Sequence, residues 1–243
     1  MSRIKPIEQI YSNYSAEDFK VWELLYLKQF NLLKGNVSQA FLDGLDLLDF
    51  NPSKIPDFID VNKKLKNLTS WQIKTVPNIS EPVYFFSCLA NKQFTSTCWL
   101  RTIKEIDYLE EPDMFHDVFG HIPLLSNKIY SDFFQKLGKL SVEFLEDDFK
   151  IKQLQRLYWF TVEFGLVKNQ DTFDIYGAGI ISSEKEIKNV FSENSIKKPF
   201  NLPEILKQDF TVDKVQQIYF FIDSFDQLLG SIDEIRELIK AKP

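Results

Sequence analysis

Both histidines of this 243-residue chain lie within six positions, in the segment EPDMFHDVFGHIPLL (111–125). Imidazole nitrogens are frequent metal ligands, so the pairing of His116 and His121 suggests a metal site. On a straight α-helix, however, side chains five residues apart point about 140° away from each other. Gly120 and Pro123 can end the helix here, because glycine tolerates unusual dihedral angles and proline cannot continue a helix. We therefore expect His116 on the last helical turn and His121 folding back toward it.

A third ligand must come from elsewhere in the chain, and Glu163 is the strongest candidate. It is the only acid between Leu157 and Val167, a segment otherwise apolar apart from Thr161. A carboxylate buried among aromatic residues is costly unless it is paired or binds a cation. Two imidazoles and one carboxylate form the facial triad of non-haem iron(II) oxygenases. Zinc hydrolases can use the same three donors. Iron is favoured because the sequence lacks the HExxH motif of zinc metallopeptidases. An outward-facing glutamate and two histidines at a helix end are the alternatives without a metal.

The composition narrows the class of protein. Aromatic residues make up 15% of the chain, with 23 phenylalanines, so we expect an aromatic core. The net charge of -6 argues against a general nucleic-acid-binding protein, which needs clustered basic residues. Cys88 and Cys98 are too few for a disulfide framework and are expected to be buried thiols. The N-terminus has no secretory apolar region, and no apolar run approaches the roughly 18 residues of a membrane span, so we expect a soluble cytoplasmic protein.

Periodicity and capping residues predict one domain that is mainly α with a few short β-strands. Helices are predicted at 15–34, 38–48, 58–68, Ser126 to about Asp147, 150–167 and through 212–241. Short strands are predicted within WQIKTVP (71–77) and QFTSTCWLRTI (93–103), and a strand or turn at 173–183.

Three motifs in order, EPDMFHDVFGHIPLL, YWFTVEFGL (158–166) and YGAGIISS (176–183), resemble the pterin-dependent aromatic amino acid hydroxylases, most closely the bacterial phenylalanine hydroxylases. The resemblance covers roughly residues 50–225. It implies the catalytic-domain fold of that family, Fe(2+) and a tetrahydropterin as cofactors, and hydroxylation of L-phenylalanine to L-tyrosine with O2. Hydroxylation at the 3-position of the ring, or of tryptophan, is a nearby alternative. Two more remote alternatives remain. One is a zinc hydrolase, and the other is a non-catalytic domain that docks a partner through SIDEIRELIKAKP (231–243).

The resemblance also implies roles for individual residues. The iron ligands match His116, His121 and Glu163. On the substrate side, Arg101 matches the arginine that binds the amino acid carboxylate, and Asp113 matches the acid that orients this arginine. Ser182 matches a serine that contacts both the substrate and the ligand histidines. The other residues on this side are Leu109, Trp159 and Gly179. The pterin side, with a phenylalanine that stacks on the cofactor ring, matches Phe85, Asp117 and Tyr158. An acid that lies behind the ligands without binding the metal matches Glu186.

Each of these residues also has a structural alternative. Phe85, Tyr158 and Trp159 could be ordinary core residues in so aromatic a chain, and Arg101 could be a surface ion-pair partner. The serines at 182–183 could cap a helix that begins near Glu184, which does not exclude a role in the site.

The sequence also departs from the animal members of the family. Animal members carry a threonine at the position of Leu109, whereas bacterial relatives share the leucine. We expect neither the regulatory domain of the animal members nor their long heptad-bearing C-terminal helix. We therefore expect residues 1–243 to form a single catalytic domain that acts as a monomer, with L-phenylalanine, O2 and reduced pterin as its partners and no nucleic acid or membrane.

Overall fold

A computed structural model describes residues 5–107, 109, 111–212 and 214–241 of the chain. Tyr108 and Glu110, just before the histidine motif, lie outside the described residues. So do Asp213 and residues 242–243, which belong to the segment predicted to be helical at the C-terminus.

Helices are the main element of the described residues. The α-helices are α1 Ala16–Leu33, α2 Gln39–Leu47, α3 Phe58–Leu68, α4 Pro82–Ala90, α5 Lys128–Val142, α6 Asp148–Tyr158, α7 Ala178–Ile181, α8 Glu184–Val190, α9 Leu202–Ile205, α10 Phe225–Gly230 and α11 Ile232–Lys240. Short 3-10 helices cover Tyr11–Asn13, Ile103–Glu105 and Pro123–Ser126, and π-helical turns cover Phe115–His121 and Trp159–Glu163. None of the helices in the described ranges has the length and apolarity needed to cross a membrane.

The strands form two small sheets. They are β1 Gln72–Thr75, β2 Gln93–Ser96, β3 Leu166–Asn169, β4 Thr172–Ile175, β5 Ile196–Pro199 and β6 Ile218–Ile222. β1 and β2 pair in parallel, with Gln72 opposite Gln93. The second sheet has the order β4-β3-β6-β5, in which only the β3–β4 pair is antiparallel. The predicted fold class, mainly α with a few short strands, is confirmed.

The first helices begin and end close to the predicted residues. Ser15 caps α1: its hydroxyl accepts a hydrogen bond from Asp18 N, and the Asp18 carboxylate accepts one from Ser15 N. Gly35 follows the helix with a φ of 79°, a left-handed conformation that glycine adopts without strain. The capping box and the glycine therefore fix both ends of α1 locally, and this part of the prediction is confirmed.

Two of the predicted helices end earlier than expected. α5 begins at Lys128, capped by Asn127 rather than Ser126, and ends at Val142. The helix predicted at 150–167 ends at Tyr158 and continues as the π-helical turn, and its last residues belong to β3. An isolated aromatic run satisfies both helix and strand patterns, so only pairing with other strands decides between them.

The C-terminal region contains a strand where helix was predicted. Ile218–Ile222, the sequence IYFFI, lies between β3 and β5 as β6, because a run of five apolar residues suits a strand buried on both faces. The segment predicted as strand or turn at 173–183 divides into β4 and the short helix α7. α4 was not predicted; it begins at Pro82, a residue favoured in the first turn of a helix.

The core packs directly on the histidine segment. Phe115 and Phe119 are fully buried and stack with ring centroids 4.7 Å apart. Trp22 of α1 meets Phe115 edge-on at 5.5 Å. Cys88 and Cys98 are buried free thiols, as expected. The apolar face of the turn at 115–121 is thus anchored in the core, which leaves its other face to carry the histidines.

α2 also fixes the position of His121, because it lies against the 3-10 turn at 123–126 that follows this residue. A Cβ atom on Gly44 would lie 2.1 Å from the backbone oxygen of Pro123 and 2.5 Å from its carbonyl carbon. Backbone atoms cannot rotate away as a side chain can, so any larger residue must push the two elements apart.

We predict that Gly44→Ala lowers the free energy of unfolding by about 1–3 kcal/mol, the usual cost of overpacking a core. Denaturant unfolding followed by circular dichroism measures the change. The matched control is Gly230→Ala, because a Cβ at Gly230 meets nothing within 4 Å. Equal stability of the two variants would contradict the close packing of α2 on this turn.

Candidate metal and substrate site

His116 and His121 lie in one π-helical turn, Phe115–His121. A π-helix closes hydrogen bonds between residues five apart, so such residues lie about one turn from each other on the same side. The two ring centroids are 5.1 Å apart. The expected break at Gly120 is wrong, because this residue lies inside the turn and its φ is not positive. A wider helical turn, rather than a terminated helix, brings the histidines together.

Glu163 ends the second π-helical turn, Trp159–Glu163, and completes a three-residue cluster. Its Oε1 lies 3.2 Å from His121 Nε2, and its Oε2 lies 3.7 Å from His116 Nε2. The three donor atoms are all within 4.8 Å of one another, and Glu163 is only 9% exposed. The structure therefore brings the three predicted ligands together.

The helix α7 packs against both π-helical turns. A Cβ on Gly120 would lie 3.1 Å from the backbone oxygen of Ala178, and one on Gly179 would lie 3.0 Å from that of Glu163. The absence of side chains at Gly120 and Gly179 thus allows the backbones to approach at these two points. This contact holds the turn that carries the histidines beside the turn that carries the glutamate.

Ser182, which follows α7, determines the tautomer of His116. The Ser182 hydroxyl donates to the backbone oxygen of Ala178 at 2.9 Å and lies 2.8 Å from His116 Nδ1. Because its single proton is used, the hydroxyl accepts from an Nδ1–H of the imidazole. The lone pair of His116 is then on Nε2, which faces the Glu163 carboxylate and is the atom available to a metal.

The charges of the cluster suit a divalent cation. Burial lowers the pKa of His116 to about 4, so its imidazole is neutral at pH 7. Burial opposes the ionisation of Glu163, but His121, His116 and the Tyr158 hydroxyl outweigh it and lower its pKa to about 2. Metal bonds of about 2.0–2.2 Å to all three donors put neighbouring donors about 3 Å apart. The two distances from the Glu163 carboxylate to the histidine Nε2 atoms, 3.2 and 3.7 Å, are close to this value, and all three donors lie within 4.8 Å of one another. One carboxylate and two imidazoles fit ferrous iron with one face open.

Arg101 forms an ion pair with Asp113, whose carboxylate is fully buried, while the Arg101 side chain remains partly exposed. Arg101 Nε donates to Asp113 Oδ2 and Nη2 donates to Oδ1, both at 2.9 Å, and Arg101 N also donates to Oδ2 at 2.9 Å. Burial raises the pKa of Asp113, but the guanidinium outweighs it and the pKa is lowered overall. Nη1 and one Nη2 hydrogen have no partner among the described residues, so that edge of the guanidinium can bind a carboxylate in bidentate fashion.

Aromatic side chains extend from the cluster toward α4. The ring of Tyr158 lies 6.4 Å from that of His121, and Phe85 meets Tyr158 edge-on at 5.2 Å. Phe85 is half-buried and so keeps part of its ring accessible. A planar ligand stacked on Phe85 would be separated from His121 by the ring of Tyr158.

Asp117 follows His116 directly, and its carboxylate is directed at the residue after β2. It accepts from Thr97 N at 2.8 Å and from Thr97 Oγ1 at 3.0 Å. Burial raises the pKa of Asp117 to about 7, against the lowering effect of those two donors. Leu109 is half-buried in the loop between Arg101 and Asp113.

Glu186 and Trp159, the remaining predicted residues, are linked through a network of hydrogen bonds. Glu186 is 6% exposed; it accepts from Gln216 N at 3.0 Å and from the Tyr219 hydroxyl. Gln216 in turn accepts from Trp159 Nε1 at 3.0 Å. Gln216 and Tyr219 were not singled out from the sequence, and no local motif marks them. A glutamine just before a strand is unremarkable until the fold buries it.

Comparison with known proteins places these motifs in a family. Residues 3–242 match the family described as biopterin-dependent aromatic amino acid hydroxylase. The chain is 42% identical to a phenylalanine-4-hydroxylase of Chromobacterium violaceum, over 93% of this chain and 76% of the relative. It is 34% identical to a phenylalanine-4-hydroxylase of Pseudomonas aeruginosa, over 95% of this chain and 87% of the relative.

A solved structure has the same fold. The phenylalanine hydroxylase of C. violaceum with bound iron(III) and oxidised 7,8-dihydrobiopterin superposes with a TM-score of 0.88 at 40% identity, covering 96% of this chain and 85% of that one. From the motifs, the fold and the match along nearly its whole length, this chain belongs to the biopterin-dependent aromatic amino acid hydroxylase family.

Proposed function

We propose that this chain is a phenylalanine 4-monooxygenase, which uses Fe(2+), a tetrahydropterin and O2 to convert L-phenylalanine to L-tyrosine. The observation that carries the proposal is the cluster of His116, His121 and Glu163, three donors within 4.8 Å, in a chain whose bacterial relatives are phenylalanine-4-hydroxylases. The family match sets aside the zinc hydrolase and the partner-docking domain.

The three clustered residues would hold the iron, with His116 and His121 binding through Nε2. Ser182 keeps His116 in the tautomer with a free Nε2. When bound, iron and reduced pterin supply the two-electron chemistry that divides O2 between the substrate ring and the pterin. These three ligands would leave the remaining coordination positions of the iron free, as in other sites with two histidines and one carboxylate.

Arg101 would bind the carboxylate of L-phenylalanine through its outer guanidinium edge. The bidentate pair with Asp113 holds the guanidinium in one orientation and balances its charge. Fixing the carboxylate places the aromatic ring at a defined position, which converts an encounter between separate molecules into a positioned reaction. Trp159, Leu109 and Gly179 would form the walls around that ring.

Phe85, Tyr158 and Asp117 would form the pterin side of the site. A half-buried phenylalanine offers a face on which a planar ring system can stack. Tyr158 lies between Phe85 and His121, so a stacked pterin would lie close to the iron. Asp117, fixed by Thr97, would supply a hydrogen-bond acceptor to that side.

We also propose that residues 1–243 form a single catalytic domain that acts as a monomer in the cytoplasm. One hydrophobic core supports the single domain, since its buried residues run from Val21 in α1 to Ile239 in α11. Size measurement of the iron-loaded protein in solution tests the monomer, and a mass twice that of the chain would contradict it.

We predict that Glu163→Gln loses bound iron while the fold is kept, because the amide removes the charge that balances the cation at nearly the same volume. Metal analysis after loading with Fe(2+) measures the effect, with less than about one tenth of the wild-type iron expected. Asp132→Asn is the control, a half-buried acid that pairs with Lys128 and lies outside the donor cluster, and should retain its iron. Full iron occupancy in Glu163→Gln would remove this residue from the ligand set.

We predict that the protein with Fe(2+), a tetrahydropterin and L-phenylalanine in air forms para-tyrosine, and that omitting either cofactor abolishes the product. Chromatography that separates para-tyrosine from meta-tyrosine measures it. Meta-tyrosine would replace the proposal with 3-hydroxylation, and hydroxylation of tryptophan alone would change the substrate. No hydroxylated product from the folded, iron-loaded protein would contradict the proposed function.

A further inference from the structure

Trp159 is the proposed wall of the amino acid pocket, and its side chain makes one hydrogen bond to the residues that the structure describes. Its indole Nε1–H donates to Gln216 Oε1 at 3.0 Å. The other contacts are between rings: Phe210 stacks on it at 4.4 Å and Phe164 lies tilted against it at 4.7 Å. Stacked rings can slide or rotate over each other at low cost, whereas a hydrogen bond fixes a direction.

The side-chain amide of Gln216 has only one orientation in its surroundings. Nε2 donates to the backbone oxygens of Thr211 and Lys214 at 3.1 and 2.9 Å, which uses both of its hydrogens. A reversed amide would place its oxygen against those two carbonyl oxygens and its NH2 against the indole N–H. Oε1 is therefore committed to Trp159.

The backbone of Gln216 is held by α8. Its N–H donates to Glu186 Oε1 at 3.0 Å, and its carbonyl oxygen accepts from Asn189 Nδ2 at 2.7 Å. Asn189 Nδ2 also donates to the Tyr219 hydroxyl at 2.8 Å, and that hydroxyl donates to Glu186. Gln216 is only 6% exposed, so leaving any of these groups without a partner would be costly.

α8 also leads back to the iron ligands. Ser183 caps it by accepting from Glu186 N, and the preceding Ser182 makes the hydrogen bond to His116 Nδ1. One short helix thus connects the orientation of a metal ligand with the orientation of the pocket wall. Both orientations would affect where the aromatic ring of a bound substrate lies relative to the metal ligands.

We propose that Gln216 is a positioning residue that fixes the plane of Trp159 in the amino acid pocket, and that Glu186 and Asn189 of α8 hold Gln216 for this purpose. The proposal rests on the function proposed above. Gln216 does not touch the reacting atoms; it acts through Trp159, and it sets how tightly and in what position the aromatic ring of the substrate is bound.

The test is a double-mutant cycle of Gln216→Met and Trp159→Phe in the metal-loaded protein. Methionine has a similar length and no hydrogen-bonding amide, and phenylalanine keeps an aromatic wall without the N–H. Calorimetric titration with L-phenylalanine gives Kd. The ratio of tyrosine formed to pterin oxidised gives the coupling of hydroxylation to pterin oxidation. We expect Gln216→Met to raise Kd roughly 3- to 10-fold, the loss of one hydrogen bond between uncharged groups, and to lower the coupling at unchanged metal content.

The cycle separates positioning from a general effect on the fold. If Gln216 acts through Trp159, Gln216→Met changes Kd less than about two-fold in the Trp159→Phe background, because the bond is already absent. The matched control is Gln135→Met, which removes the hydrogen bond of a half-buried amide to the backbone oxygen of Ala90; it should leave Kd and coupling unchanged. Equal effects of Gln216→Met in both backgrounds, or no effect in the wild-type background, would overturn the proposal.

Two outcomes distinguish this inference from the proposed function. A wild-type protein that neither binds nor hydroxylates L-phenylalanine refutes the function before any variant is compared. A wild-type protein that forms tyrosine, together with a silent Gln216→Met, refutes only the positioning role. If Gln216→Met does not fold, Trp159→Phe alone provides the test. An unchanged Kd for L-phenylalanine in this variant shows that the hydrogen bond between Trp159 and Gln216 does not affect substrate binding.

Discussion

Three donor atoms converge at one point because two π-helical turns carry them and pack side by side. An α-helix would direct His116 and His121 to different sides, whereas the wider turn places them on the same side. Glu163 ends a second such turn, about forty residues later, and reaches within 3.2 Å of His121 Nε2. A π-helical turn is unfavourable in isolation, so the surrounding packing must stabilise both turns at once.

The core and α7 provide that stabilisation. The buried rings of Phe115 and Phe119 hold one face of the first turn, and α7 contacts both turns at points where glycines remove side chains. Ser182 then orients His116, and α8 continues from it toward Trp159 through Glu186 and Gln216. The cluster of His116, His121 and Glu163 is therefore connected with Trp159 through one chain of contacts, so under the proposed function substitutions several residues from the metal ligands would alter substrate binding.

The sequence predicts the chemistry of the site better than its geometry. The scarcity of histidine and the lone acid in YWFTVEFGL point to the three ligands, and family motifs point to Arg101 with Asp113. Neither signal predicts the π-helical turns, since a π-helix needs packing around it and has no distinctive local composition. β6 was mistaken for helix because IYFFI carries no periodicity, and its pairing partners lie some twenty and fifty residues away. Gln216 and Tyr219 acquire their roles only through burial, which depends on the whole fold.

The most direct test of this account is a crystal structure of the Fe(2+)-loaded protein with anomalous diffraction at the iron edge. We predict a single iron bonded at about 2.0–2.2 Å to His116 Nε2, His121 Nε2 and the Glu163 carboxylate, with Ser182 accepting from His116 Nδ1. Iron bound elsewhere, iron coordinated through the Nδ1 of His116, or a Glu163 side chain directed away from the metal would contradict it.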